Sequence, residues 1–180
     1  LLEMPGGPAY FEELVRHHIC GRLKIAPEHG VPGVLAAMRK PPPEIYRRFV
    51  ERWRQAQQRW GLHDQLNEYY ISGHPGCTLA DMIELAVRLK AMGLRPEQVQ
   101  DFYPTPGTLS TVMYYTELDP RNLKKVYVPK SPHEKAMQRA LIQYRRPENY
   151  SLVREALLKA GRSDLIGYGK KCLIHQRENE

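Results

Sequence analysis

The chain has 180 residues, 42% of them hydrophobic and 26% charged, which suits one folded domain with or without an appendage and excludes an intrinsically disordered polymer. No apolar run approaches the length of a membrane span, and three unclustered cysteines, Cys20, Cys77 and Cys172, exclude a local C-x-x-C or C-x-x-x-C-x-x-C motif. Together these point to a cytoplasmic protein with no membrane partner. The net charge of +7 sits in the last third: residues 1–120 carry 13 Lys/Arg and 14 Asp/Glu, residues 121–180 carry 14 and 6.

In chain order, the opening Leu1-Leu2-Glu3 has no initiator Met and reads as a piece of something longer. Phe11, Leu14, Val15, His18 and Ile19 fall at helical spacing and predict a helix over 8–19 that feeds a strand over 21–26. Gly30 to Met38 reads as a short helical turn closed by Pro41-Pro42-Pro43. Ile45, Phe49, Trp53, Ala56 and Trp60 share one face of a long helix, five arginines lie mostly off that face, and Gly61 ends it. A strand over 66–72 then stops at Gly73-His74-Pro75-Gly76. A helix follows at once, with Thr78 and Asp81 as a near capping box and Leu79, Met82, Ile83, Ala86 and Leu89 as its apolar stripe up to Gly93. A third strand over 98–103 ends in Pro104-Thr105-Pro106-Gly107, and a shorter helix runs through Val112 and Tyr115.

This alternation predicts an α/β fold: a partial (β/α) barrel of about three parallel strands with helices over residues 1–120, with one open sheet edge. After Pro120 the pattern changes to a basic, mainly helical extension over 121–180. Val126-Tyr127-Val128-Pro129 reads as extended, and Ser131 with Glu134 as a capping box for a helix carrying Ala136, Met137, Ala140, Leu141 and Tyr144. Pro147 opens a second helix through Val153, Ala156, Leu157 and Ala160 to Gly161, and the two form a hairpin that packs on the α/β part. The terminal Arg177 to Glu180 is expected to fray.

Ligands of parallel α/β folds bind where strands end and helices begin, and all three strands end in polar, Pro/Gly-rich loops. Lys24 alternates with Leu23 and Ile25, the pattern of a barrel's inward face, and Gln100 and Tyr103 alternate with apolar neighbours. Gly73 and Gly76 allow close backbone approach to a ligand. His74 suits either acid–base work or a bond to a neighbouring loop; with His29 and His63 it has no metal-ligand spacing, so no metal site is assigned. Tyr115 is a candidate on the substrate side. Lys124, Lys125, Lys130, Arg145 and Arg146 are candidates for binding an anion, nucleic acid included, or for keeping a face solvated.

Six segments in order carry a resemblance. They are Leu23-Lys24-Ile25-Ala26-Pro27-Glu28-His29, Tyr70 to Gly76, Gln98 to Pro106, Met113-Tyr114-Tyr115-Thr116, Val128-Pro129-Lys130, and the tail leading to Leu165-Ile166-Gly167. In these the chain resembles the YgiQ family of radical S-adenosylmethionine proteins. The resemblance implies that the strands are the fourth to sixth of a (β/α)6 partial barrel, followed by the family's C-terminal extension. It implies a parent enzyme that uses S-adenosylmethionine and a 4Fe-4S cluster to form a 5′-deoxyadenosyl radical, which attacks a substrate the sequence does not identify. The cluster-binding loop is missing here. The expected partner is therefore an N-terminal half of the same polypeptide, and this fragment alone is expected to be inactive and to hold no cofactor stably. By resemblance, Glu28 lies near the cofactor's ribose or amino-acid end, Ser72, His74 and Gly76 supply adenine and backbone contacts, Tyr103 stacks near the adenine, and Lys24 and Gln100 face the cavity. Two other readings stand beside this one: a basic nucleic-acid-binding module, and a stand-alone α/β domain that dimerises through its open sheet edge.

Overall fold

The computed structural model describes residues 4–175. Three strands, β1 (Arg22–Glu28), β2 (Gln65–Ser72) and β3 (Gln98–Asp101), form one parallel sheet in the order β1-β2-β3. Parallel neighbours need a crossover, and the helices supply it. α1 (Gly7–His17) leads into β1, α2 (Pro32–Ala37) and α3 (Pro43–Trp60) connect β1 to β2, and α4 (Leu79–Ala91) connects β2 to β3. After β3 come α5 (Leu109–Thr116), α6 (Pro132–Ile142) and α7 (Tyr150–Lys159). The sheet does not close, in keeping with the α/β partial barrel read from the sequence. Among the described residues no helix is long and apolar enough to cross a membrane.

Register fixes which residues face the helices. Leu23 pairs with Leu66, and both pack against Phe11, Val15, Trp53 and Ala56 of α1 and α3. Four residues further along β2 on the same face, Tyr70 joins a larger core with Met82, Leu85 and Leu89 of α4 and with Met137 and Leu141 of α6. Strand alternation therefore puts Lys24, Asn67, Ile71 and Gln100 on the other face, where Lys24 and Gln100 are exposed. The larger core also takes in Val153, Ala156 and Leu157 of α7, so apolar packing is continuous across residue 120.

One buried amide stitches the extension to the sheet. Gln138 of α6 is fully buried; its Oε1 accepts from Gly73 N (3.0 Å) and its Nε2 donates to Cys77 O (3.1 Å). The turn after β2 is closed further by Gly76, at φ +86°, whose N–H donates to Tyr127 O (2.7 Å). A Cβ at Gly76 would stand 3.2 Å from the Ala37 Cβ, so α2 and the 126–128 segment clasp this turn from outside.

Several local expectations change. Thr78 and Asp81 form a complete capping box, with Asp81 N donating to Thr78 Oγ1 (3.2 Å) and Thr78 N to Asp81 Oδ2 (2.8 Å). Ser131 is the N-cap of α6, but its side chain makes no capping bond; the Glu134 carboxylate accepts from the Tyr127 hydroxyl instead, so no box forms there. β3 ends at Asp101 rather than at residue 103: Phe102 N donates to Ser72 O (2.7 Å) as the last bond of the parallel ladder, and the chain then leaves the sheet at Tyr103-Pro104. The fray expected for Arg177 to Glu180 lies outside the described residues, as do Leu1 to Glu3.

Two outcomes test this packing. Gln138→Ala leaves the Gly73 N–H and the Cys77 carbonyl buried without partners and is expected to cost about 2–4 kcal/mol in urea unfolding. The second concerns His29, which is 2% exposed, accepts from Val31 N at Nδ1 (3.1 Å) and so carries its proton on Nε2, toward Met82 Sδ (3.3 Å) and Cys77 Sγ (3.6 Å). Burial lowers its pKa from 6.5 to about 4. The unfolded ring takes up a proton below pH 6.5 while the folded ring does not until about pH 4. Stability is therefore expected to fall as pH drops through that window, by roughly 3 kcal/mol in all, and less in His29→Gln, as read from urea midpoints at each pH.

Candidate functional site at the carboxyl edge of the sheet

The carboxyl ends of the three strands border one cavity of about 300 Å³. Glu28 reaches it from the end of β1, Ile71 and His74 from the end of β2, Gln100 and Tyr103 from β3 and the loop beyond, and Ser110 from the first turn of α5. Four candidates read from separate stretches of sequence (Glu28, His74, Gln100 and Tyr103) thus share one space. A second cavity of about 370 Å³ lies between α1, β1 and the Pro41–Pro43 segment, lined mainly by apolar side chains such as Phe11, Leu14, Ile25 and Phe49. It flanks the open edge of β1 and reaches Ala26, Pro27 and His29 at the end of that strand.

Glu28 is held in an unusual backbone. The β1–β2 register shifts between Ile25 and Glu28, Glu28 takes φ +67°, and His29 N donates back to Pro27 O (2.8 Å) across it. Positive φ is disfavoured for a residue with a side chain, and here it closes the strand with a tight three-residue turn. The Glu28 carboxylate is 18% exposed and lies 3.4 Å from Lys40 Nζ, which also reaches Ala26 O (3.4 Å). The carboxylate thus has one cation beside it and its remaining lone pairs available for donors from a ligand.

His74 is buried, with its ring edge-on to Phe102 at 5.1 Å between centroids. The Pro75 carbonyl, 2.6 Å from Nδ1, can only accept, so Nδ1 carries the proton and Nε2 is the bare nitrogen. Ser110 Oγ donates to that Nε2 at 2.8 Å. Burial lowers the His74 pKa below the ordinary histidine value, partly offset by the Pro75 carbonyl, so the neutral ring is the resting form. Ser110 was not legible in the sequence as a site residue. The signal for it is its place two residues after the Thr108 N-cap, on the helix that the Pro/Gly loop aims at the strand ends.

The other candidates are dispersed. Ser72 is buried, but its hydroxyl donates to Asp101 Oδ1 (2.6 Å), and Asp101 pairs in turn with Arg139 of α6 (3.2 Å); Ser72 therefore braces β2, β3 and α6. Gly76 faces Ala37 and Val126 of the chain itself. Lys24 is exposed on the open sheet face, and Tyr115, 70% exposed, lies edge-on to Tyr114 on α5. The basic candidates separate along α6. Lys130, at its start, pairs with Glu117, and Lys124 and Lys125 lie on the exposed turn just before, where Leu118 bridges Lys125. Arg145 and Arg146, past its end, border a cavity with Arg95 and Glu97 at the opposite end of β3. Eleven helical residues put these groups roughly 16 Å apart.

The cysteines are likewise apart: Cys20 is exposed, while Cys77 and Cys172 are buried. Burial raises the Cys77 pKa and keeps its thiol protonated. No group of three His, Cys, Asp or Glu side chains able to hold a metal occurs among the described residues.

The site geometry is checked by nitrogen NMR of the His74 ring. At pH 7 the ring is expected to be neutral with the proton on Nδ1, and to titrate below the ordinary histidine range. Ser110→Ala removes a donor to the neutral ring and is expected to move that titration upward. A ring already protonated at pH 7, or one indifferent to the substitution, contradicts the assignment.

Residues 97–180 match a family model described as a domain of unknown function, DUF3362. The chain is 53% identical over 170 residues to a UPF0313 protein of Clostridium perfringens, covering 94% of this chain and 26% of that protein. It is 56% identical over 171 residues to a UPF0313 protein of Methanosarcina acetivorans, covering 95% of this chain and 23% of that one. The chain is thus similar to UPF0313 proteins of bacteria and archaea over nearly all of its own length, and spans about a quarter of theirs.

Proposed function

We propose that this chain forms one wall of the S-adenosylmethionine and substrate cavity of a radical S-adenosylmethionine enzyme of the YgiQ type. The observation that carries the reading is the convergence of Glu28, His74, Gln100 and Tyr103 on one cavity at the carboxyl edge of three parallel strands. Their chemistry fits the cofactor. The Glu28 carboxylate accepts from hydroxyl or ammonium donors, the Gln100 amide both donates and accepts, Ile71 offers an apolar surface, and Tyr103 presents a ring that is 77% exposed. The strained turn at Glu28 supports the same reading, since such conformations collect where a side chain must be held for a ligand.

When bound, S-adenosylmethionine supplies a carbon radical that removes hydrogen from the substrate. The chain's own part is to bind and orient. Glu28, steadied by Lys40, holds one end of the cofactor, while Gln100 meets the substrate. The separated cysteines do not fit a 4Fe-4S cluster, so in this reading the cluster belongs to another part of the longer polypeptide. The relatives, about four times as long, leave room for it.

The test uses the longer polypeptide that contains this chain, reconstituted with iron and sulfide without oxygen. It is expected to bind S-adenosylmethionine and, once reduced, to release 5′-deoxyadenosine. Glu28→Gln is expected to weaken cofactor binding about tenfold, or ~1.4 kcal/mol, by equilibrium dialysis. Wild-type protein that holds a cluster but binds no S-adenosylmethionine would sink the proposal.

A further inference from the structure

The pairing of Ser110 with His74 has the order of groups found at an activated serine. The Pro75 carbonyl fixes the ring through Nδ1–H (2.6 Å), the bare Nε2 lies 2.8 Å from Ser110 Oγ, and Ser110 lines the cavity. Orienter, base and hydroxyl thus stand in line, as nucleophilic catalysis by serine requires. The ring is held against rotation by its edge-on contact with Phe102, which in turn packs on Tyr114 at 5.7 Å. Ser110 occupies the first turn of α5, where Thr108 Oγ1 takes the Thr111 N–H (3.2 Å) and the N–H groups of Leu109 and Ser110 have no acceptor within the helix. Donors that can meet a developing oxyanion therefore adjoin the hydroxyl.

We propose that Ser110 and His74 form a nucleophile–base pair that bonds covalently to an acyl ester taken into this cavity. Ser110 Oγ forms a bond to the ester carbonyl carbon as its proton passes to His74 Nε2. The ester C–O bond then breaks, and the leaving alcohol departs with that proton. Water, deprotonated by the same nitrogen, later releases the acid and restores the serine. No electrons change hands and no further reactant is needed. The neutral resting state of His74 is the one able to accept the proton. This activity goes beyond S-adenosylmethionine binding and does not depend on it, so the two readings stand or fall separately.

The test treats the chain, without any cofactor, with an alkyl fluorophosphonate. The P–F bond breaks, an Oγ–P bond forms, and the stable adduct is located by peptide mass mapping. A single adduct on Ser110 is expected. It should be absent in Ser110→Ala and should form about 100-fold more slowly in His74→Gln. Because His74 is buried and that variant can be lost to misfolding, the wild-type pH profile gives an independent reading. Activation by His74 predicts a rate that rises as the ring loses its proton below pH 6.5 and is level at pH 7–8. The absence of a Ser110 adduct, an undiminished rate in folded His74→Gln, or a rate that climbs in proportion to hydroxide would each overturn the proposal.

Discussion

Parallel pairing of β1, β2 and β3 is the constraint from which the rest of this molecule follows. Each strand must be re-entered from the same end, so every connection crosses one face as a helix and every strand finishes at the same edge. The helical face becomes the core, built on Leu23, Leu66, Tyr70 and Val99. Polar loops rich in glycine and proline gather at the carboxyl edge, and with them Glu28, His74, Gln100 and Ser110, residues up to 82 positions apart in the chain. The convergence costs no special long-range contact; it is a by-product of strand direction.

That edge is then stiffened by polar bonds rather than by apolar packing. Ser72, Asp101 and Arg139 link two strand ends to α6, while Gln138 satisfies an N–H and a carbonyl on either side of the 73–77 turn. Buried polar groups of this kind are costly unless paired, and here each finds its partner on a different element. The result is a rim whose backbone is fixed while the side chains that line the cavity keep donors and acceptors to spare.

Much of this was legible in the sequence, because the signals were local. Helical stripes such as Leu79, Met82, Ile83, Ala86 and Leu89, and turn residues such as Gly73 and Gly76, state their structure within a few positions. Strand type followed from the alternation of helices and strands, and the strand ends followed from their loops. What was not legible depended on distant partners. The sequence offered Ser72 as a ligand group but gave no sign that its hydroxyl donates to Asp101, 29 residues on. The Ser131 capping box lost its carboxylate to Tyr127. Ser110 gained its interest only because β2 delivers His74 beside it, 36 residues away in the chain. The basic residues of the last third looked like one surface, yet α6 carries them to opposite ends of β3.

The apolar core that runs unbroken past residue 120 has a consequence for synthesis. Gly73 and Cys77 emerge from the ribosome about sixty residues before Gln138, and the inner surface of α4 emerges well before α6 and α7 can cover it. At translation rates of about 5–20 residues per second, the half-finished sheet waits on the order of 3–13 seconds with that surface bare. For this interval the nascent chain is a natural client for a chaperone, and a pause between the codons for α4 and α6 would lengthen its exposure.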